Sequence, residues 1–262
     1  MGFSLRLVLG IASMICTAYA EAQAGGGAIH GNSGGLGLSD WIPPAFCGEA
    51  DCPEYTVWQK SHQFEARRYK PSTWVATMVE ADKLDAALPE GLKRLDDYIA
   101  GGNEAKEQLA CTLPVMAVYP LEGHPHKGSR TNYTVAIYLP YNKQDEPPKP
   151  TSNQLFIFNG PNVDMYVRMY REPASQARVV EEVRDLAAAL EHAGHDYVKG
   201  EVHAAMYGCA EAGVCASGSD TVSSLGAALL QGGVSGGCRH PHNEVWLRSP
   251  QPPSSATARE VE

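Results

Sequence analysis

The chain has 262 residues, 44% of them hydrophobic and 19% charged, with a formal net charge of −9 and a pI near 5.5. That composition is ordinary for a globular protein and lies far from the disordered regime. The acidic balance, with no basic run and no basic patch interleaved with aromatics, excludes a general nucleic-acid binder.

The first twenty residues read as a signal peptide. Arg6 precedes the apolar run Leu7 to Ala18, which is too short to span a bilayer, and Ala18-Tyr19-Ala20 fits a small-x-small cleavage site. Ala22-Gln23-Ala24 is a second option. No later stretch reaches the length of a transmembrane helix, so no stable membrane span is expected, and the expected location is extracellular. Residues 21–46 form a flexible Gly/Ser-rich leader, residues 47–248 the folded domain, and residues 249–262 a disordered tail. A Gly/Ser/Ala-rich insertion at 209–238 interrupts the domain.

Within the domain, "YTVWQKSHQFEARRY" is rich in strand formers and carries a turn near Lys60-Ser61, and "TWVATMVEA" is the next strand. A first helix follows. Asp85 is its expected N-cap, Leu84, Leu88, Leu92, Leu95 and Ile99 recur at helical spacing, and Gly101-Gly102 ends it. Pro89 is tolerable because it lies near the first turn. Strands are expected at about 112–119 and 133–139, then at "QLFIFN" and "VDMYVRMY". The second helix has Ser175 as cap, an apolar face of Val179, Val180, Val183, Leu186, Ala187 and Leu190, and Gly194 as its close. Strands at about 201–207 and 243–248 finish the domain. Both halves thus run strand, strand, helix, strand, strand, an order that can fuse into one antiparallel, barrel-like α+β domain with a helix over each half.

Seven cysteines are present, and Cys16 leaves with the signal. Cys47, Cys52, Cys111, Cys209, Cys215 and Cys238 remain, an even number that suggests disulfides in an oxidising compartment. Cys47–Cys52 and a bridge inside 209–238 are the local choices, and the connectivity stays open. No C-x-x-C pair supports zinc. Asn132-Tyr133-Thr134 fits a glycosylation sequon.

The runs "EARRYKPSTWVATMVEAD", "LDDYIAGGNE", "TLPVMA", "PPKPT", "MYVRMY" and "NEVWL", in that order over roughly residues 53–248, resemble the SOUL/haem-binding protein family. The resemblance implies a distorted, pseudo-two-fold antiparallel β-barrel flanked by two helices and built from a repeated strand-helix unit. It implies non-catalytic binding of haem or another tetrapyrrole, and the fold is also similar to bacterial small-molecule-sensing domains. The resemblance places Arg68 where some members carry a histidine proposed as axial haem ligand. Arginine has no lone pair for iron. It further maps the apolar haem contacts of the first helix onto Leu88, Leu92 and Leu95, and a propionate-binding lysine onto Asp97. Arg239, His240 and His242 stand where the family has basic residues near the closing strand. "LEHAGHD", Leu190 to Asp196, is an imperfect match to the family's BH3-like segment.

Along the opening strand Arg67 and Tyr69 share a face and Arg68 takes the other, either as solvated arginines or as a clamp on a carboxylate. His124-Pro125-His126 and His240-Pro241-His242 each precede a last strand and offer imidazoles from stiffened loops. The leucine stripe of the first helix reads as core or as a ligand pocket. No G-x-S-x-G, H-E-x-x-H or dinucleotide fingerprint supports catalysis, although Glu65, Glu80 and Glu201 sit in or beside strands. The expectation is a secreted, non-catalytic protein that buries a hydrophobic anionic ligand, haem or a related tetrapyrrole, with Arg-carboxylate pairing. An extracellular protein-interaction module without a small ligand and an enzyme acting on a small hydrophobic molecule are the rival readings.

Overall fold

A computed structural model describes residues 41–120, 130–208 and 241–250, all within the unit Trp41–Glu262. Nine strands and two helices make up these residues: β1 (Tyr55–Lys60), β2 (Glu65–Tyr69), β3 (Ser72–Ala81), α1 (Leu84–Ile99), β4 (Val115–Pro120), β5 (Thr131–Tyr138), β6 (Leu155–Gly160), β7 (Val163–Tyr170), α2 (Gln176–His192), β8 (Glu201–Gly208) and β9 (His242–Arg248). Two short 3₁₀ turns, Ala45–Cys47 and Tyr141–Lys143, flank the early strands.

The strands join in one antiparallel sheet of order β1-β2-β7-β9-β8-β4-β5-β3-β6, curled into a half-barrel. β1 and β6 are its edges, so the fold is α+β with an open sheet rather than a closed barrel. Both helices cover the same face. On α1, Gly91 lies so close to Val135 of β5 that a Cβ there would sit 2.6 Å from it. Arg94 donates to Thr77 of β3. On α2, Glu182 accepts from Arg168 of β7. Strand alternation then assigns the opposite face without ambiguity.

The second helix starts as its sequence dictates: the Arg178 N–H donates to Ser175 Oγ at 3.2 Å, and Gly194 follows the last turn at φ +72°. The first helix departs from expectation. Its N-cap is Lys83, which makes no side-chain cap bond. The Asp85 carboxylate accepts from the Gln176 N–H instead, while Gln176 Oε1 accepts from the Leu84 N–H. The two helix starts therefore cap each other, a long-range exchange that local sequence rules do not contain. Pro89 is the sixth helical residue, and the expected glycine stop is met by Gly101 at φ +108°.

Among the described residues no helix is long and apolar enough to cross a membrane. Cys47 and Cys52 form a disulfide, with Cα atoms 6.3 Å apart. Cys111 is also disulfide-bonded. Cys209, Cys215 and Cys238 lie outside them, as do the signal peptide and nearly all of the leader, insertion and tail.

Candidate functional site

The helix-free face of the sheet has two contrasting sides. On the β2-β7-β9-β8 side, register places Glu65, Arg67 and Tyr69 on the same face as Val167 and Met165, and Val167 and Met169 beside Trp246 and Glu244. These side chains converge on one buried ion pair. Arg67 Nη1 donates to Glu244 Oε1 at 3.0 Å, with 5% and 0% of the two side chains exposed. Glu244 also accepts from Trp246 Nε1 at 2.8 Å, and His242 Nε2 lies 2.7 Å from its Oε1. Arg67 reaches Glu65 at 2.8 Å, and Glu65 reaches Lys60 at 2.7 Å.

Aromatic rings enclose this network. Phe46 stacks on His242 with centroids 3.8 Å apart, Tyr69 stacks on Trp246 at 4.5 Å, and the Arg67 guanidinium lies 4.4 Å from the Tyr55 ring. Phe46 is brought there by the 3₁₀ turn of the disulfide loop. Burial opposes the charge on Glu244, but Arg67 and the bonds from His242 and Trp246 outweigh it and hold the carboxyl below the usual range. Burial pushes the Tyr55 phenol up to about 12 and the Tyr69 and Tyr207 phenols well above their ordinary value. The cluster therefore stays as a paired charge among neutral phenols at neutral pH. It ties β2 to β9 through a pairing 177 positions apart.

The β4-β5-β3-β6 side is different. Trp74, Ala76 and Met78 of β3 share the helix-free face with Tyr138, Ala136 and Thr134 of β5 and with Phe158 and Phe156 of β6. Met78 is 48% exposed and Phe156 39%. Trp74 and Phe158 are parallel at 6.4 Å, and Phe156 lies 6.3 Å from Phe158. No charged residue interrupts this band. It ends at Glu80, whose side chain meets Arg130 at 3.9 Å. A depression beside α1, lined by Glu80, Asp82, Glu90 and Arg130 among others, has three carboxylates against one cation and is ill suited to an anionic ligand.

The matching family model, SOUL heme-binding protein, covers residues 50–210. The chain belongs to the SOUL heme-binding protein family. Heme-binding protein 2 of Mus musculus and of Homo sapiens are each 30% identical to it over 131 residues, which is 50% of this chain and 63% of the relative. Heme-binding protein 1 of Xenopus laevis is 30% identical over 128 residues, 48% of this chain and 66% of the relative. The chain thus matches less than two thirds of the length of these relatives. Among solved structures, the EcmrR C-terminal domain aligns with a TM-score of 0.45 at 8% identity, over 71% of this chain and 96% of that one.

The residues singled out on the family resemblance fall in three places. Arg68 is on β2, on the helix face, where its Nε and Nη2 donate to Asp164 at 2.8 and 2.9 Å. That bidentate bond raises its pKa. Leu88, Leu92 and Leu95 are enclosed between α1 and the sheet, at most 2% exposed, while Asp97 is on the exposed face of α1. His242 is the half-buried edge of the closed cluster. Arg239, His240, His124 and His126 lie outside the described residues. Asn132 is exposed at the start of β5. Glu201 pairs with His203 at 2.8 Å, and that bond lowers its pKa.

Sequence reasoning singled out Arg67 but missed Glu244 and the pairing of the two. Glu244 sat inside "NEVWL" as one of the family-like runs, and its signal was a carboxylate alternating with apolar residues in a strand. Arg67 shows the complementary signal on β2. Only the long-range pairing, 177 positions apart, joins them.

Proposed function

We propose that this SOUL-family protein is a secreted, non-catalytic binding protein for haem or a related tetrapyrrole, and that the macrocycle lies on the open side of the helix-free face. The observation that carries this reading is the apolar band of Met78, Phe156, Phe158 and Trp74, in which Met78 and Phe156 are exposed and Trp74 is buried beneath, on a domain of a heme-binding family. An aromatic macrocycle can lie along this band, and covering the exposed parts of Met78 and Phe156 would contribute about 1 kcal/mol each.

Arg68 is on the opposite, helix-covered face of the sheet and is already bound by Asp164, so it does not meet a propionate of a macrocycle on the open side. The expected Arg68-carboxylate pairing therefore drops out of this site, and apolar burial carries the binding. Leu88, Leu92 and Leu95 would meet a ligand only if α1 moved off the sheet.

The secreted location rests on the signal-like N-terminus and the disulfides at Cys47, Cys52 and Cys111. The paired carboxylates and neutral phenols support a binding role over a catalytic one. The strand order supports the expected repeat. Exchanging β2, β3, α1, β4, β5 with β6, β7, α2, β8, β9 and reversing the order from β2 to β6 returns the same sequence of strands. Glycosylation at Asn132 is compatible with its exposure.

Hemin titration followed by the Soret band and by tryptophan quenching tests the ligand. Saturable binding in the micromolar range is expected, and no saturable change up to about 50 μM hemin would overturn the proposal.

A further inference from the structure

The two sheet edges are protected very differently. β1 has a register irregularity between Val57 and Gln59 and ends in Lys60, paired to Glu65. Bulges and lysines are standard devices against edge-to-edge pairing. β6 has neither. Leu155, Phe156, Ile157 and Phe158 are consecutive apolar residues, and the whole run from Pro150 to Val163 contains no ionisable side chain. On a chain of net charge −9, this neutral edge is where two copies approach with least repulsion.

We propose that β6 is a self-association edge, at which two copies of this chain pair antiparallel through a two-fold axis perpendicular to the sheet. Such an axis keeps each face with itself, so one residue must lie opposite its own copy. Centring on Ile157 places Phe156 opposite the second copy's Phe158, and Phe158 opposite the second copy's Phe156. Centring on Phe158 would waste Phe156 against glycine. The Ile157 register therefore gives two aromatic cross-strand pairs on the helix-free face and extends the band of Trp74, Phe158 and Phe156 across both copies. A single six-residue strand buries little area, so the dimer is weak and reversible.

The proposal is independent of any ligand and is tested without hemin. Sedimentation velocity of the full chain from about 5 to 200 μM should show a reversible monomer–dimer equilibrium with a Kd in the tens of micromolar. Phe156→Lys, at an exposed position, should raise that Kd at least about tenfold with an unchanged far-UV circular dichroism spectrum. Ile157→Cys should give a disulfide-linked dimer on mild oxidation, whereas Asn162→Cys, beyond the strand, should not. A wild-type chain that stays monomeric at about 200 μM, a dimer indifferent to Phe156→Lys, or an Ile157→Cys chain that does not cross-link would each overturn the assignment.

Discussion

The two sides of the helix-free face are built on one sheet from strands of similar length, yet they put their side chains to opposite uses. The β2-β7-β9-β8 side is closed by a buried ion pair, Arg67–Glu244, with Phe46, Tyr69, Trp246 and Tyr55 packed around it. The β4-β5-β3-β6 side leaves Met78 and Phe156 in solvent. A buried charge pair needs every partner in place, whereas an apolar band loses little when it is wet. Substitutions on the closed side should therefore act on stability, and those on the open side on binding.

The largest effect is expected at Arg67. Arg67→Ala leaves the buried Glu244 without its cation, held only by the bonds from His242 and Trp246, which costs about 3–5 kcal/mol. Urea or thermal unfolding should show it as a drop in melting temperature on the order of 10 °C. Gly91→Ala comes next. It forces a methyl group against Val135 at a spacing of 2.6 Å, so α1 must shift, at about 1–3 kcal/mol. A melting temperature within a degree of wild type would mean that α1 does not pack as described.

A pH series separates the sides more finely. The Glu244 carboxyl is held below its ordinary value of 4.5 in the folded state, and Glu65 and Glu201 shift the same way. As pH falls, the unfolded chain therefore takes up protons first. The contribution is complete above about 4.5 and is lost as pH falls from there through the folded values. The urea midpoint should decline over that window in the wild type and decline less in Arg67→Ala, where Glu244 has lost its main partner. Equal slopes in the two proteins would remove the ion pair from the account.

Much of this architecture was legible in the sequence, because the information was local. Ser175 and Gly194 mark their helix by short-range rules, and the apolar spacing of Val179, Val183, Leu186 and Leu190 names its buried face. The strand "VDMYVRMY" has the bounds that its composition suggests. What was not legible depends on distance. Asp85 is a good local cap, but its carboxylate serves the other helix. Arg67 and Arg68 look alike as neighbours, yet alternation sends one to Glu244 and the other to Asp164. The open band was hidden too, since Met78 and Phe156 read as ordinary strand residues until the register set them side by side with Ala76.

Arg68→Ala should leave the hemin Kd within about twofold of wild type, because Arg68 is on the opposite face of the sheet and is held by Asp164. The more direct measurement is a matched pair of hemin titrations. Met78 and Met169 are both on the helix-free face and similarly exposed, at 48% and 43%, but Met78 is on the open side and Met169 sits beside Glu244 on the closed one. Met78→Glu is predicted to raise the hemin Kd at least about tenfold, while Met169→Glu leaves it within about twofold of wild type. Equal losses in both variants, or a loss confined to Met169→Glu, would contradict a tetrapyrrole site on the open side.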